Sequence, residues 1–248
     1  FVMASILFRR YFSLLAALLV SNFLLDAIAA ADANIRIEPA QTFDGASASF
    51  SKDGSLFASR CGNAICVVRT KDGAVLRQLE ATNFLPMQIA ISYSGRYVAA
   101  ADPNKSGRIW DITSGLLAST FQSRVEFINR IKISPDEQVV LVAGTSFKTK
   151  RSHEAFRMKD GQLIHELKLG GGNDITFRDK GNVALIDARP YSPKFAAGFG
   201  AWNLSSGGFS PISSSLGAGA LQIAIDPTDE LLAVVPDGGD LGQIGRAS

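Results

Sequence analysis

The sequence predicts an all-β chain of repeated four-stranded antiparallel sheets, and two markers held in step predict it. The first is a turn that follows an apolar residue by three places: Phe50 before Asp53-Gly54, Ile91 before Ser94-Gly95, Ile133 before Asp136-Glu137, Phe177 before Lys180-Gly181 and Ile225 before Thr228-Asp229. The second is a later turn, Asp72-Gly73, Ser114-Gly115, Asp160-Gly161 and Ser206-Gly207, with Val68, Trp110, Phe156 or Trp202 five places ahead of its glycine. Both recur at about 40 to 50 residues with four strand-like runs per period, the sequence signature of β-propeller blades. Four complete blades and part of a fifth are expected. A β-sandwich with regular strand spacing is the competing architecture.

Taken in order, the chain of 248 residues opens on Arg9-Arg10, an apolar run from Tyr11 to Leu25, and the small-residue stretch Ala27 to Ala33. A basic n-region, a short apolar run and an Ala-x-Ala site read as a secretory signal peptide over residues 1–31. An anchoring helix is the alternative reading. Arg9-Arg10-Tyr11-Phe12 also matches the core of a twin-arginine signal, although Sec export is the main expectation. The implied address is periplasmic or secreted, with no stable membrane span after cleavage, because the run is shorter than the roughly 20 apolar residues a span needs. Asn34 to Ile37 form a candidate strand, and the repeat domain runs over residues 35–248. An unfinished last repeat leads us to expect the N-terminal part of a longer protein.

The formal net charge of +2 gives no polyanion-binding character to the whole molecule, so nucleic acid is not expected as a partner. Charge is instead sorted by face. Loops between second and third strands carry Arg60, Lys105, Arg108, Lys148, Lys150, Arg151, Arg189 and Lys194 against Asp102, whereas the opposite turns are net acidic. Two long loops concentrate the cations, Ser146 to His153 and Arg189 to Phe195, with Phe147, Tyr191 and Phe195 interleaved. Lys148, Lys150, Arg151, His153, Arg189, Tyr191 and Lys194 are therefore the candidate partner-binding face, the partner being a protein or an anionic envelope component. A plain solvated rim is the alternative.

Cys61 and Cys66, the two cysteines, flank the Gly62-Asn63 turn, and an exported chain favours a disulfide across it; two reduced, packed thiols are the alternative. No metal site is expected, since two thiols without a nearby His supply too few ligands. His153 reads as a loop residue and His165, in Leu163-Ile-His-Glu-Leu167, as a strand residue on a polar face, so both are expected to be solvated. No Gly-x-Ser-x-Gly elbow accompanies them. Ser49-Phe-Ser-Lys52 matches a Ser-x-x-Lys pattern, yet it runs from a strand into a turn. Gly170-Gly-Gly-Asn-Asp174 precedes a strand and lacks Lys-Ser/Thr, so linker flexibility is expected there rather than phosphate binding. Neither catalytic residues nor a cofactor is expected.

Phe50-Ser-Lys-Asp-Gly54, Ile133-Ser-Pro-Asp136 and Ile109-Trp-Asp-Ile-Thr-Ser-Gly115 resemble the turn and Trp-Asp strand of WD40 repeats from about Ile35 to the end. The repeats are degenerate: Trp-Asp occurs once, Trp202 is followed by Asn203, and no Gly-His opens a repeat. That family's buried Asp, His, Ser/Thr and Trp network therefore cannot be carried over position by position. The resemblance implies a ring of six to eight blades and a non-catalytic protein-interaction scaffold. Likeness to secreted bacterial propellers implies, as an alternative, the binding part of a longer enzyme with a caspase-like or other catalytic domain beyond residue 248. A lactonase-type propeller enzyme would need acids and His converging on the central channel.

Overall fold

The computed structural model describes residues 47–172, 174–178, 181–188, 198–212, 220–225, 231–236 and 243–246. The expected signal peptide over residues 1–31, the candidate strand at residues 34–37, and Arg189, Tyr191, Lys194 and Phe195 lie outside the described residues. The described chain is a β-propeller. Its first blade is β1 (Ala48–Phe50), β2 (Leu56–Cys61), β3 (Ala64–Arg69) and β4 (Val75–Glu80). The second is β5 (Gln88–Ile91), β6 (Tyr97–Ala101), β7 (Ser106–Asp111) and β8 (Leu117–Gln122). The third comprises β9 (Phe127–Ile133), β10 (Val139–Thr145), β11 (His153–Arg157) and β12 (Leu163–Leu167). The fourth is β13 (Ile175–Arg178), β14 (Val183–Ala188), β15 (Gly198–Asn203) and β16 (Phe209–Ile212). A three-stranded sheet follows: β17 (Ala220–Ile225), β18 (Leu231–Pro236) and β19 (Gln243–Arg246). Every sheet is an antiparallel meander in chain order.

The first strands β1, β5, β9, β13 and β17 contact one another in succession and form the inner wall. Each inner apolar residue faces the blade before it: Ile91 packs with Ala58, Ile65 and Val67, Ile133 with Ile109 and Phe121, and Phe177 with Leu141 and Ala155. Burying such a side chain contributes about 1.5–3 kcal/mol, so adjacent blades stabilise each other. Phe50 departs from the expected inner role. It is 61% exposed, and its ring rests on Phe57 at 5.2 Å.

The two markers have a common cause in the seams between blades. Gly115, Gly161 and Gly207 have φ of 77°, 69° and 76°, a region that disfavours a side chain. A Cβ on them would meet Arg77, the Thr120 carbonyl and the His165 ring, all on the outermost strand of the preceding blade. In the other marker, Ser51, Ser92 and Ser134 are buried, and their hydroxyls accept the N–H of Leu56 (3.0 Å), Tyr97 (3.0 Å) and Val139 (3.0 Å), closing the turns. Asp111 of the Trp-Asp pair accepts the Ser114 N–H at 3.0 Å. Asn203 fills the same place after Trp202, accepting from Ser205 (3.0 Å) and Ser206 (2.9 Å), so the missing second Trp-Asp costs no turn hydrogen bond. The register slips next to Val68, Trp110 and Phe156 in turn, so the repeat is written in the backbone as well.

Candidate interaction site

The exposed basic loop is built on an ordered base. After β10 the chain turns out through Ser146, which is wholly buried, and its Oγ accepts the Glu126 N–H at 2.9 Å. Phe147 N–H donates to Glu126 Oε2 at 3.3 Å. The Lys150 N–H donates to Ser146 O at 3.0 Å, the Lys150 carbonyl accepts from Gly170 N–H at 3.2 Å, and Lys150 itself takes a φ of 58°. These bonds fix the backbone and leave the side chains outside. Phe127 and Phe147 meet edge to face at 5.8 Å while remaining 58% and 62% exposed, and Lys148 and Lys150 stand beside them in solvent. Two mutually supported aromatics with cations at their rim form a ledge of interface character.

Arg151 sits differently. Its Nε–H donates to Glu166 at 2.9 Å, and Arg124 (3.7 Å) and Lys168 (3.3 Å) reach the same carboxylate. The Arg151 hydrogen bond holds the Glu166 carboxyl below its ordinary value. Three cations surround the Glu166 carboxylate, with the buried Glu154 carboxyl beside Arg124, and Arg124 and Lys168 are mostly exposed. Elsewhere on the expected basic side, Arg108 lies over the Phe84 ring at 4.7 Å.

His153 does not belong to this face. It opens β11 and is wholly buried, where a loop residue in solvent was expected. Its Nδ1 is hydrogen-bonded to Ser152 Oγ at 2.9 Å, its Nε2 lies 3.9 Å from Asp187 Oδ1, and its ring meets Trp202 edge-on at 6.4 Å. Burial drives the imidazole down to about 3, so it is neutral at physiological pH. A Ser, a His and an Asp are thus adjacent without being a catalytic triad: all three are inaccessible, and Ser152 Oγ also accepts the Leu169 N–H at 3.1 Å. The set joins the third blade to the fourth in an arrangement that no sequence motif marks.

The Gly170–Gly172 run belongs to the same seam, contrary to the flexible linker expected from its composition. Gly171 bridges Thr145, Gly172 N–H donates to Gly144 O at 2.8 Å, and a Cβ on Gly172 would stand 2.5 Å from the His153 ring. These glycines permit close approach. His165 is half-buried under Gly207 rather than fully solvated, because the late turn of the fourth blade lies on β12. Glu154, also wholly buried, accepts from Ser123 Oγ–H at 2.7 Å and Arg124 N–H at 3.0 Å, tying β11 to the connection between blades two and three. Burial raises its carboxyl above the ordinary value against those two bonds.

Cys61 and Cys66 are joined by a disulfide with Cα atoms 5.8 Å apart, across the two-residue turn in which Gly62 takes φ 61°. Closing so short a loop contributes about 2 kcal/mol on the chain-entropy account. The expected result is no free thiol before reduction, native or denatured, and about 2 kcal/mol lost in a Cys61→Ser/Cys66→Ser variant by urea unfolding. Titratable thiols in the unreduced chain would contradict it.

The Ser-x-x-Lys match comes apart in space. Ser49 Oγ accepts the Ile91 N–H at 3.1 Å, whereas Lys52 lies over the Tyr93 ring at 5.3 Å. Among the described residues no cluster of three or more His, Cys, Asp or Glu could hold a metal. The inner strands line a partly open cavity of about 310 Å³ whose lining residues include Arg130 and Lys132 and no acid or imidazole.

This architecture defines the chain as a β-propeller of four-stranded antiparallel blades. Solved propellers match it: a chain of Kuenenia stuttgartiensis hydrazine synthase, with TM-score 0.60 and 14% identity over 85% of this chain and 69% of that one. The β-propeller domain of Myceliophteria thermophila Cps50 (Swd1) matches with TM-score 0.61 and 12% identity, over 79% of this chain and 63% of that one. At such identities the likeness is one of fold. No protein-family model matches the chain, and no curated protein is significantly similar to it in sequence.

Proposed function

We propose that the chain is a WD40-type, non-catalytic interaction scaffold of an exported protein, docking a protein or an anionic envelope component on the face of its β10–β11 loop. The observation that carries this reading is the ledge of Phe127, Phe147, Lys148 and Lys150: exposed aromatic and cationic side chains on a backbone held by Ser146, Glu126 and Gly170. A rigid base lowers the entropy lost on docking, and aromatic anchors supply contact area that lysines alone do not. The nearby Arg124, Arg151 and Lys168 around Glu166, of which Arg124 and Lys168 are mostly exposed, extend the cationic surface toward an acidic partner. The Cys61–Cys66 disulfide supports an oxidising compartment, periplasmic or secreted, as does the basic and apolar opening of the chain.

The test is retention of an envelope fraction on immobilised chain at increasing salt. Wild-type retention is expected to fall as salt rises from about 0.05 to 0.5 M, with Lys148→Glu/Lys150→Glu abolishing the salt-sensitive part. Phe127→Ala/Phe147→Ala is expected to weaken retention about tenfold or more at every salt concentration. Unchanged retention and salt slope in both variants would end the proposal.

A further inference from the structure

We propose that the central cavity is a second binding site, separate from the loop face, for a small organic anion carrying carboxylate or phosphate groups. Its wall follows from strand alternation. On β9, Ile131 and Ile133 enter the core between blades two and three, so Arg130 and Lys132 on the other face are aimed inward. Neighbouring inner strands add Ser49, Gln88 and Thr176, giving a cavity of about 310 Å³ with hydrogen-bond donors and no carboxylate among its lining residues. That volume lies at the small-molecule end of ligand pockets.

The charges in this wall are not balanced. Asp174 sits 3.2 Å from Arg130 Nε, yet the Nε–H has no aligned hydrogen bond, and Asp174 Oδ2 already accepts the Ile223 N–H at 2.9 Å. Lys132 makes no ion pair among the described residues. Burial lowers its ammonium group below the ordinary value; Asp174 opposes that shift, and the nearby Arg130 adds a smaller lowering of its own. Two cations in a confined, partly desolvated wall with one acid beside them are stabilised by an incoming anion, which gains charge-assisted bonds from both. Ser49 Oγ and Gln88 then fix orientation rather than charge. A metal ion is disfavoured by the same wall, which offers cations where a cation would need acids.

Calorimetric titration of the whole chain with citrate and, separately, with inorganic phosphate tests this. One-to-one saturable binding is expected for at least one of them, accompanied by a rise in melting temperature greater than sodium chloride gives at equal ionic strength. The tighter of the two identifies the acid group recognised. Lys132→Gln is expected to weaken binding about tenfold or more, whereas Lys148→Gln/Lys150→Gln leaves it unchanged. Gln88→Lys, which adds a third cation to the wall and leaves the Arg130–Asp174 contact alone, is expected to tighten it, and keeps the test decisive if Lys132→Gln does not fold. Absence of saturable binding by either anion overturns the site, as does equal weakening by the channel and loop variants. The loop-face reading survives either result, since its own variants are tested on a different ligand.

Discussion

Gly161→Ala is expected to lower stability by about 3–4 kcal/mol, while Gly54→Ala lowers it by only about 1 kcal/mol. The two glycines share a φ of 69°, so the conformational strain of adding a methyl group is the same at both. What differs is the surroundings. A Cβ on Gly54 meets nothing within 4 Å, whereas one on Gly161 would lie 1.7 Å from the Thr120 carbonyl oxygen and 2.6 Å from its carbon. Thr120 belongs to β8, paired with Arg108 in the sheet of the second blade, so its backbone cannot yield alone. The second and third blades must separate instead. Urea unfolding of both variants measures the difference, and equal losses would show that the glycine marker reflects turn conformation only, with no part in holding blades together.

Acidification is expected to weaken the fold from about pH 6.5 downward through His153. The folded imidazole titrates at about 3 because it is buried, while the unfolded chain takes up its proton near the ordinary 6.5. Between those values the unfolded state holds one more proton, so stability falls by about 1.4 kcal/mol for each pH unit lost, and this contribution levels off below about 3. Glu154 works in the opposite sense. Its carboxyl is raised by burial, so its contribution favours the folded state as pH falls toward the ordinary carboxylate range, offsetting part of the loss. His153→Asn separates the two, since a side-chain amide can keep the bond to Ser152 Oγ without titrating. That variant is expected to start less stable at pH 7 and to lose the slope between about pH 6.5 and 5. An identical slope in both proteins would place the acid sensitivity elsewhere.

The seams were legible in the sequence because they impose a requirement at a fixed place. A turn glycine under a neighbouring strand, and a buried serine that caps its own turn, repeat with the blade, and so does the bulky residue of the third strand. The buried polar residues were not legible, and the reason is geometric. The middle strands of a blade are covered on both faces by adjacent blades, so β11 is buried from His153 through Phe156, and alternation there carries no information on exposure. Arg151-Ser-His-Glu154 therefore reads as a polar loop although most of it is core. Asp187 had no signal at all, as its partner His153 comes from another blade. Lys148, Lys150 and Phe147 were found because loop residues between two strong strand patterns have few other places to go. The channel pair Arg130 and Lys132 does alternate with isoleucines, but only knowledge of which strand is innermost gives that alternation a meaning.

Hydrogen exchange of the chain, alone and with the envelope component that it retains, tests the scaffold reading most directly. The prediction is slowed exchange confined to the rigid ledge, at Glu126 to Phe127 and Ser146 to Lys150, with the opposite turns around Asp53, Asp72 and Asp160 unchanged. Protection centred on those acidic turns, or spread evenly over the blades with none at the ledge, would contradict it.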